Sequence, residues 1–162
     1  MFRVHTVAES AAPVRTVGGM EVIPACTIAD HPTFEILVVP GGWGTRAIYE
    51  SKPHVTEWLA RRADLVPTVT SVCTGAFLLA RAGLLDGKRA TTHWASIDSL
   101  RARHPEAEIV DDIRVVDEGA IVTSAGVSAG IDMALHIVAR LHGPAAAMQT
   151  ARDMEYRWQP AD

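Results

Sequence analysis

The stretch SVCTG, residues 71–75, contains the side chain of this sequence best suited to nucleophilic chemistry. Cys73 follows an apolar run rich in valine and precedes a run of small residues and leucines, a pattern typical of a strand that turns into a helix. The spacing Ser71-x-Cys73-x-Gly75 is similar to the elbow that holds a hydrolase nucleophile above its sheet. A helix N-terminus stabilises a thiolate, which is the attacking form of cysteine. A buried, inert cysteine fits the same pattern, so both interpretations are open here.

Two further features could take part in such chemistry. The loop PGG, residues 40–42, follows another apolar run and supplies flexible backbone N–H groups of the kind that an oxyanion requires. A plain turn is the alternative. His93 comes twenty residues after Cys73 and could move protons near a thiol. A lone histidine is more often structural, and this alternative is also open.

Aromatic residues flank both loops. Trp43 and Trp94 either line a pocket or pack in the core or at its rim. Together with Gly41, they are the residues that we expect to contact a substrate. Cys26 follows a proline in a predicted loop and has no setting that favours reactivity. The histidines show no metal-ligand spacing, so we predict no metal site and no cofactor.

Strand-like and helical patterns alternate along the chain, which predicts an α/β domain with a mostly parallel sheet. The strand patterns cover 2–8, a hairpin over 14–24 that turns at Gly18-Gly19, 34–40, 65–72, a short segment at 88–92, and two strands over 111–124. The helical patterns cover 45–62 with a restart at Pro53, 74–82, 91–105, 128–143 and 144–157. Ligands bind such sheets at the carboxyl ends of strands, where the loops at 40–44 and 71–75 both lie.

Length and composition exclude several classes of protein. The 162 residues predict a single domain over 1–162, and 48% hydrophobic with 21% charged residues is typical of a globular protein. A net charge of −4 without a basic run argues against a nucleic-acid partner. The longest apolar runs are too short to cross a membrane. The two distant cysteines form no disulfide framework and favour a reduced, cytoplasmic location.

Three longer motifs resemble the ThiJ/PfpI family of the class I glutamine amidotransferase-like superfamily: EILVVPGG, SVCTGAFLLARAGLLDGKRATTHW and TSAGVSAGIDMALHIV. The most similar branch contains isonitrile hydratases and the amidotransferase-like domains of AraC-type regulators. The resemblance implies a flavodoxin-like three-layer α/β sandwich that forms a homodimer. It also implies that Cys73 is the nucleophile, that Gly42 and Thr74 offer N–H groups to an oxyanion, and that His93 lies near the cysteine.

The residue after the cysteine indicates which activity the resemblance implies. Thr74 matches isonitrile hydratases, whereas PfpI-type peptidases carry histidine at this position. The implied reaction needs no cofactor: the Cys73 thiolate attacks an isonitrile carbon, a thioimidate forms, water adds, and an N-substituted formamide leaves. The alternatives are a non-catalytic small-molecule-sensing or regulatory domain and a protein that answers glyoxal or oxidative stress.

One departure from the family pattern affects the site. Family members begin with a further strand and helix, and the loop between these carries an acidic residue that bonds the cysteine. This sequence begins at what resembles the second strand, FRVHTVA. We therefore expect a late start, a partner chain in the gap, or a rearranged sheet. Asp30, Asp64 and Asp98 are present, but nothing in the sequence places any of them beside Cys73.

Overall fold

The computed structural model describes residues 2–160. Within them the strands are Val7–Ala8 (β1), Val14–Arg15 (β2), Glu21–Val22 (β3), Cys26–Thr27 (β4), Ile36–Val39 (β5), Thr68–Val72 (β6), Arg89–Ala90 (β7), Glu108–Ile109 (β8), Val115–Asp117 (β9) and Ile121–Ser124 (β10). The helices are Gly44–Ser51 (α1), Pro53–Ala63 (α2), Ala76–Arg81 (α3), Ile97–Arg103 (α4), Ala129–His142 (α5) and Pro144–Asp153 (α6).

The main sheet has four strands in the order β5-β6-β10-β9. Strands β5, β6 and β10 are parallel, with Val39 opposite Ser71 and Ser71 opposite Thr123. Strand β9 is antiparallel to β10, and the turn between them contains Gly119 at φ +80°. Because β5, β6 and β10 all run the same way, the loops that follow β5 and β6 meet at one edge of the sheet.

Helices cover both faces of this sheet. On one face, Val69 belongs to a core that also contains Trp58 and Leu59 of α2 and Leu79 of α3. On the other face, Met133 of α5 packs in a second cluster with β9 and β10 residues. Burial of each such side chain contributes about 1.5–3 kcal/mol to folding. The molecule is therefore an α/β sandwich, and the predicted fold class is confirmed.

The amino-terminal stretch differs from its prediction. Residues 2–6 form no strand, and only β1 pairs, in parallel, with β4. Within residues 2–160 the main sheet has no strand on the outer side of β5, whose Val38 is 52% exposed. A strand is stable only when a neighbouring strand bonds its N–H and C=O groups. The apolar alternation of 2–8 does not supply such a neighbour, so it does not by itself produce a full strand.

Most of the remaining elements follow the sequence. Helix α4 begins at Ile97, after the predicted 91, and Cys26, predicted in a loop, lies in β4. Strands β2 and β3 form the predicted hairpin around Gly18-Gly19, and α2 begins at the predicted Pro53. Strand β8, which pairs with β7, was not predicted, because two residues are too short for a pattern. Helix α6 ends at Asp153, before the predicted position 157. No helix within residues 2–160 is long and apolar enough to cross a membrane.

Candidate functional site

Cys73 lies at a sharp turn between β6 and α3. Its φ is +57°, and a single 3₁₀ turn over Cys73–Gly75 leads directly into α3. Residues other than glycine rarely adopt this left-handed conformation, which costs on the order of 1–3 kcal/mol and is concentrated at functional sites. The side chain is half-buried, and Cys73 is reduced. The predicted strand-to-helix turn is thus present, and Cys73 is not sealed in the core.

Two glycines allow the turn to form. A Cβ added to Gly41 would lie 2.8 Å from both the Cβ of Cys73 and the amide nitrogen of Thr74. A Cβ added to Gly75 would overlap the carbonyl oxygen of Val39, at the end of β5. The loop after β5 and the loop after β6 therefore pack backbone against backbone, and the main chain of both strands positions Cys73.

The Gly42 amide has a partner within the protein. Gly42 lies at φ +130° and donates its N–H to the Thr74 hydroxyl at 2.9 Å. The same hydroxyl lies 3.3 Å from that of Thr45, a buried residue at the start of α1. Gly42 and Thr74, which the resemblance implies as N–H donors to an oxyanion, are therefore in contact. An oxyanion that takes the Gly42 N–H must displace the Thr74 hydroxyl.

His93 lies close to the turn. The preceding residue, Thr92, donates its hydroxyl to the Cys73 carbonyl at 2.7 Å. The imidazole packs so tightly on Gly126 that a Cβ there would overlap the ring. Nδ1 of His93 accepts the Ala95 N–H at 3.2 Å, so in the neutral ring Nε2 carries the proton. In this tautomer His93 offers a hydrogen-bond donor at Nε2. For Nε2 to act as a base, the proton must be on Nδ1 instead, which breaks the hydrogen bond from the Ala95 N–H.

The two tryptophans are surface residues rather than core residues. Trp43 is 86% exposed and Trp94 is 77% exposed. Trp94 lies beside the His93 ring at a centroid distance of 5.5 Å and lines a cleft of about 430 Å³. The cleft is lined by Thr91, Thr92, His93, Trp94, Asp111, Asp112, Ile113, Arg114, Ala125, Gly126 and Val127. The structure brings Trp94 and His93 together in this cleft. The other predicted site residues lie outside its lining: Gly41, Gly42, Trp43, Cys73 and Thr74. The cleft borders Cys73 through its backbone, which bonds the lining residues Thr92 and Ala125.

An ion pair in the cleft wall was missed by the sequence analysis. Arg114 lies just before β9, and its guanidinium bonds the buried Asp132 of α5 through Nε at 2.6 Å. The hydroxyl of Tyr156, after α6, donates to the same carboxyl at 3.1 Å. The hydrogen bond to Asp132 raises the pKa of Arg114, so the guanidinium keeps its charge. The residues are 18 and 24 positions apart, and no local pattern links them.

The acidic residues named from the sequence do not bond the cysteine. Asp98 pairs with Arg101 on α4, the backbone N–H of Asp30 donates to the Thr27 hydroxyl, and Asp64 is the C-terminal cap residue of α2. Within residues 2–160, Sγ of Cys73 has no hydrogen-bond partner, and no cluster of three potential metal ligands exists. The thiol of the other cysteine, Cys26, donates to the carbonyl of Thr6 at 3.6 Å.

Comparison with known proteins gives the family. The model of the DJ-1/PfpI family matches residues 1–140. The chain belongs to the DJ-1/PfpI family. A crystal structure of a ThiJ/PfpI family protein from Pseudomonas syringae superposes with a TM-score of 0.86 at 33% identity, over 99% of this chain and 65% of that chain. The resemblance predicted from the three sequence motifs is therefore confirmed.

Two relatives from Pseudomonas carry different functional names. Isonitrile hydratase from Pseudomonas putida is 39% identical over 98% of this chain and 68% of its own length. The HTH-type transcriptional regulator CdhR from Pseudomonas aeruginosa is 33% identical over 93% of this chain and 44% of its own length. The chain thus spans about two thirds of the hydratase and less than half of the regulator. Both names belong to the branch that the motifs predicted.

Proposed function

We propose that this domain is a cysteine-dependent hydratase that converts an isonitrile into an N-substituted formamide, with Cys73 as the nucleophile. The observation that carries the proposal is the position of Cys73, half-buried at φ +57° on a turn between β6 and α3. The Thr74 that follows it and the 39% identity to an isonitrile hydratase favour this substrate over others.

In the first half of the reaction, sulfur bonds to the isonitrile carbon. The proton lost by the thiol ends on that carbon, so R–N≡C and the thiol give the thioimidate R–N=CH–S–Cys73 without an external reactant. His93 offers Nε2–H as a hydrogen-bond donor beside the cleft, where it stabilises negative charge that develops on the substrate.

In the second half, water releases the product. The oxygen of water bonds to the carbon and one of the two water protons goes to the nitrogen, which gives R–NH–CH(OH)–S–Cys73. The C–S bond then breaks, the hydroxyl proton returns to sulfur, and R–NH–CHO leaves. Negative charge on the former water oxygen is stabilised by the N–H of Thr74, and by that of Gly42 once the Thr74 hydroxyl moves aside.

The test is hydration of phenyl isonitrile, with the formamide measured by chromatography. We expect turnover by the protein and by Cys26→Ala, and none by Cys73→Ala. Equal formation of product by Cys73→Ala would exclude Cys73 as the nucleophile, and absence of product from every protein would exclude the activity. Circular dichroism of each variant shows that loss of turnover does not reflect loss of the fold.

A regulatory, ligand-sensing domain is the second candidate, and the 33% identity to the regulator CdhR favours it. A compound that raises the thermal midpoint of a protein with no hydratase turnover supports this candidate. The glyoxal or oxidative-stress role stays a prediction, and the mass of Cys73 after mild peroxide treatment tests it. The homodimer is likewise proposed, and light scattering of the purified protein checks it.

A further inference from the structure

Arg114 lies in the same row of the sheet as Cys73. The Cys73 N–H bonds the Ala125 carbonyl at 3.2 Å, and the Ala125 N–H bonds the Arg114 carbonyl at 2.9 Å. The three residues extend neighbouring strands β6, β10 and β9 by one position. Because neighbouring strands are about 4.8 Å apart, the backbones of Cys73 and Arg114 are separated by roughly 10 Å.

The guanidinium of Arg114 is held from one side. Nε and Nη2 approach Oδ2 of Asp132 at 2.6 and 2.5 Å, and Nη2 also donates to the Ser128 hydroxyl at 3.1 Å. Oδ1 of the buried Asp132 accepts the Tyr156 hydroxyl. After Asp132, the Tyr156 hydroxyl beside the guanidinium also raises the pKa of Arg114. Within residues 2–160, Nη1 of Arg114 has no hydrogen-bond partner. The side chain is 55% exposed and lines the cleft.

Such an arrangement is typical of an arginine that binds a ligand. Asp132 fixes the direction of the guanidinium, so little side-chain entropy is lost when an anion binds. The free Nη1 supplies hydrogen-bond donors, and charge-assisted bonds between guanidinium and carboxylate are stronger than neutral ones. The ion pair with Asp132 does not explain why Arg114 also lines the cleft that contains His93 and Trp94.

Two carboxylates line the same cleft and have to be weighed. Asp111 and Asp112 are exposed, and Asp111 accepts the backbone N–H of Asp112 at 2.8 Å. Their charges, like that of the 55% exposed Arg114, are in contact with water and are screened by salt within about 8–10 Å. They would favour a cationic group at the mouth of the cleft, whereas Arg114 favours an anionic group. The experiment must therefore separate these two possibilities.

We propose that Arg114 is a specificity residue that binds a carboxylate on the substrate, so that the preferred substrates are isonitriles carrying a carboxylate. This inference rests on the proposed hydratase function for its reacting group. The backbone separation of roughly 10 Å between Cys73 and Arg114 suits a rigid molecule whose isonitrile and carboxylate lie at opposite ends of one ring. Asp132 and Tyr156 act through Arg114 and are positioning residues.

The test compares three substrates: 4-isocyanobenzoate, its methyl ester, and the analogue with a trimethylammonium group in place of the carboxylate. We expect kcat/KM for the carboxylate to exceed that for the ester by about tenfold, as one charge-assisted contact at a partly exposed site allows. The ratio of the two values cancels any general loss of activity in a variant. A preference for the ester or the ammonium compound would overturn the proposal.

Variants test whether the guanidinium of Arg114 causes the preference for the carboxylate over the ester. We expect Arg114→Gln to bring the carboxylate-to-ester ratio close to 1, Arg114→Lys to keep part of it, and Tyr156→Phe to lower it less than Arg114→Gln does. Arg89→Gln is the matched control, because Arg89 is 49% exposed, is paired with Glu108 at 4.0 Å, and lies outside the cleft lining. A ratio in Arg114→Gln equal to that of the unchanged protein would overturn the proposal.

A binding measurement separates this inference from the hydratase function. Calorimetry on Cys73→Ala compares 4-formamidobenzoate with its methyl ester, and the double variant with Arg114→Gln serves as reference. Tighter binding of the carboxylate that disappears in the double variant supports the inference even if no isonitrile is hydrated. Equal affinities, or no binding of either compound, would overturn it.

Discussion

The amide N–H of Gly42 donates a 2.9 Å hydrogen bond to the hydroxyl of Thr74, and this bond joins the two loops that flank Cys73. It connects the end of β5 to the turn after β6. It also occupies the Gly42 N–H, which the proposed reaction uses as a donor to the oxyanion. The hydroxyl of Thr74 therefore has two effects. It holds the Gly42 loop in place before substrate binds, and it must move aside when negative charge develops.

The first prediction concerns this hydroxyl. We expect Thr74→Val, which keeps the shape but removes the acceptor, to lose about 1 kcal/mol of stability because the Gly42 N–H is left without its partner. Turnover of phenyl isonitrile should fall about fivefold as the loop loosens, since about 1 kcal/mol corresponds to a factor of roughly five. Thr74→Ser, which keeps the hydroxyl, should retain most of the stability and most of the turnover. Full activity in Thr74→Val would show that the hydroxyl has no positioning role.

The second prediction concerns the close contact of the two loops. Gly75→Ala places a methyl group against the Val39 carbonyl, so β5 and the turn must move apart, and we expect about 3 kcal/mol or more of destabilisation. Gly44→Ala is the control, because a Cβ there meets nothing within 4 Å and the residue begins α1. Urea unfolding measures both. Equal midpoints for the two variants would contradict the backbone contact.

The third prediction compares the two cysteines. Both cysteines are half-buried, but Cys73 lies on a strained turn at φ +57°, whereas the Cys26 thiol donates to the Thr6 carbonyl. We expect iodoacetamide to alkylate Cys73 at least several-fold faster in the native protein, as peptide mass spectrometry after timed quenching would show. In urea the two rates should converge, which is the control. Faster labelling of Cys26 in the native protein would remove the main support for the proposed nucleophile.

The fourth prediction concerns pH and His104. Burial lowers the pKa of His104 below its ordinary 6.5, and the nearby carboxylates of Glu106 and Asp86 oppose this without reversing it. Between the lowered value and 6.5 the unfolded chain binds more protons at this residue than the native protein does. Stability contributed by the neutral ring, which contacts the Tyr49 hydroxyl at 3.1 Å, is therefore complete above pH 6.5 and declines as the pH falls.

Urea titrations at pH 7 and pH 5 measure this effect. His104→Gln should reduce the loss of stability between the two values, and an undiminished loss in this variant would contradict the role of His104. The Asp117 carboxyl is a separate contribution. Burial works to raise its pKa, but the His136 hydrogen bond, the Gly119 amide and Arg140 lower it overall. Its stabilising effect is lost only in more acidic solution, below 3.8.

Local patterns were sufficient for the parts of the site that lie within one stretch of chain. The apolar run before Cys73 and the small residues after it predict the turn, and the glycines at 40–42 predict the loop that packs on it. His93 and Trp94 were also found in this way. Their roles in the chemistry stay predictions.

Contacts between distant segments could not be read from the sequence. The bond from Arg114 to Asp132 depends on the crossover from β10 into α5, and the bond from Tyr156 depends on where the chain turns after α6. The alternation of residues 2–8 predicted a strand, but only Val7–Ala8 pair with a neighbouring strand, and residues 2–6 do not. Tautomers are likewise set by three-dimensional neighbours, as with the Ala95 amide and His93.

The close packing of Gly41 on Cys73 and of Gly75 on Val39 has an evolutionary consequence. The sulfur atom is placed by peptide units, so mutations of the surrounding side chains can reshape the recess without moving the reactive atom. New chemical preferences, or a change from catalysis to sensing, then need few substitutions and little loss of foldability. A family whose members carry names as different as a hydratase and a transcriptional regulator is the outcome expected of such a scaffold.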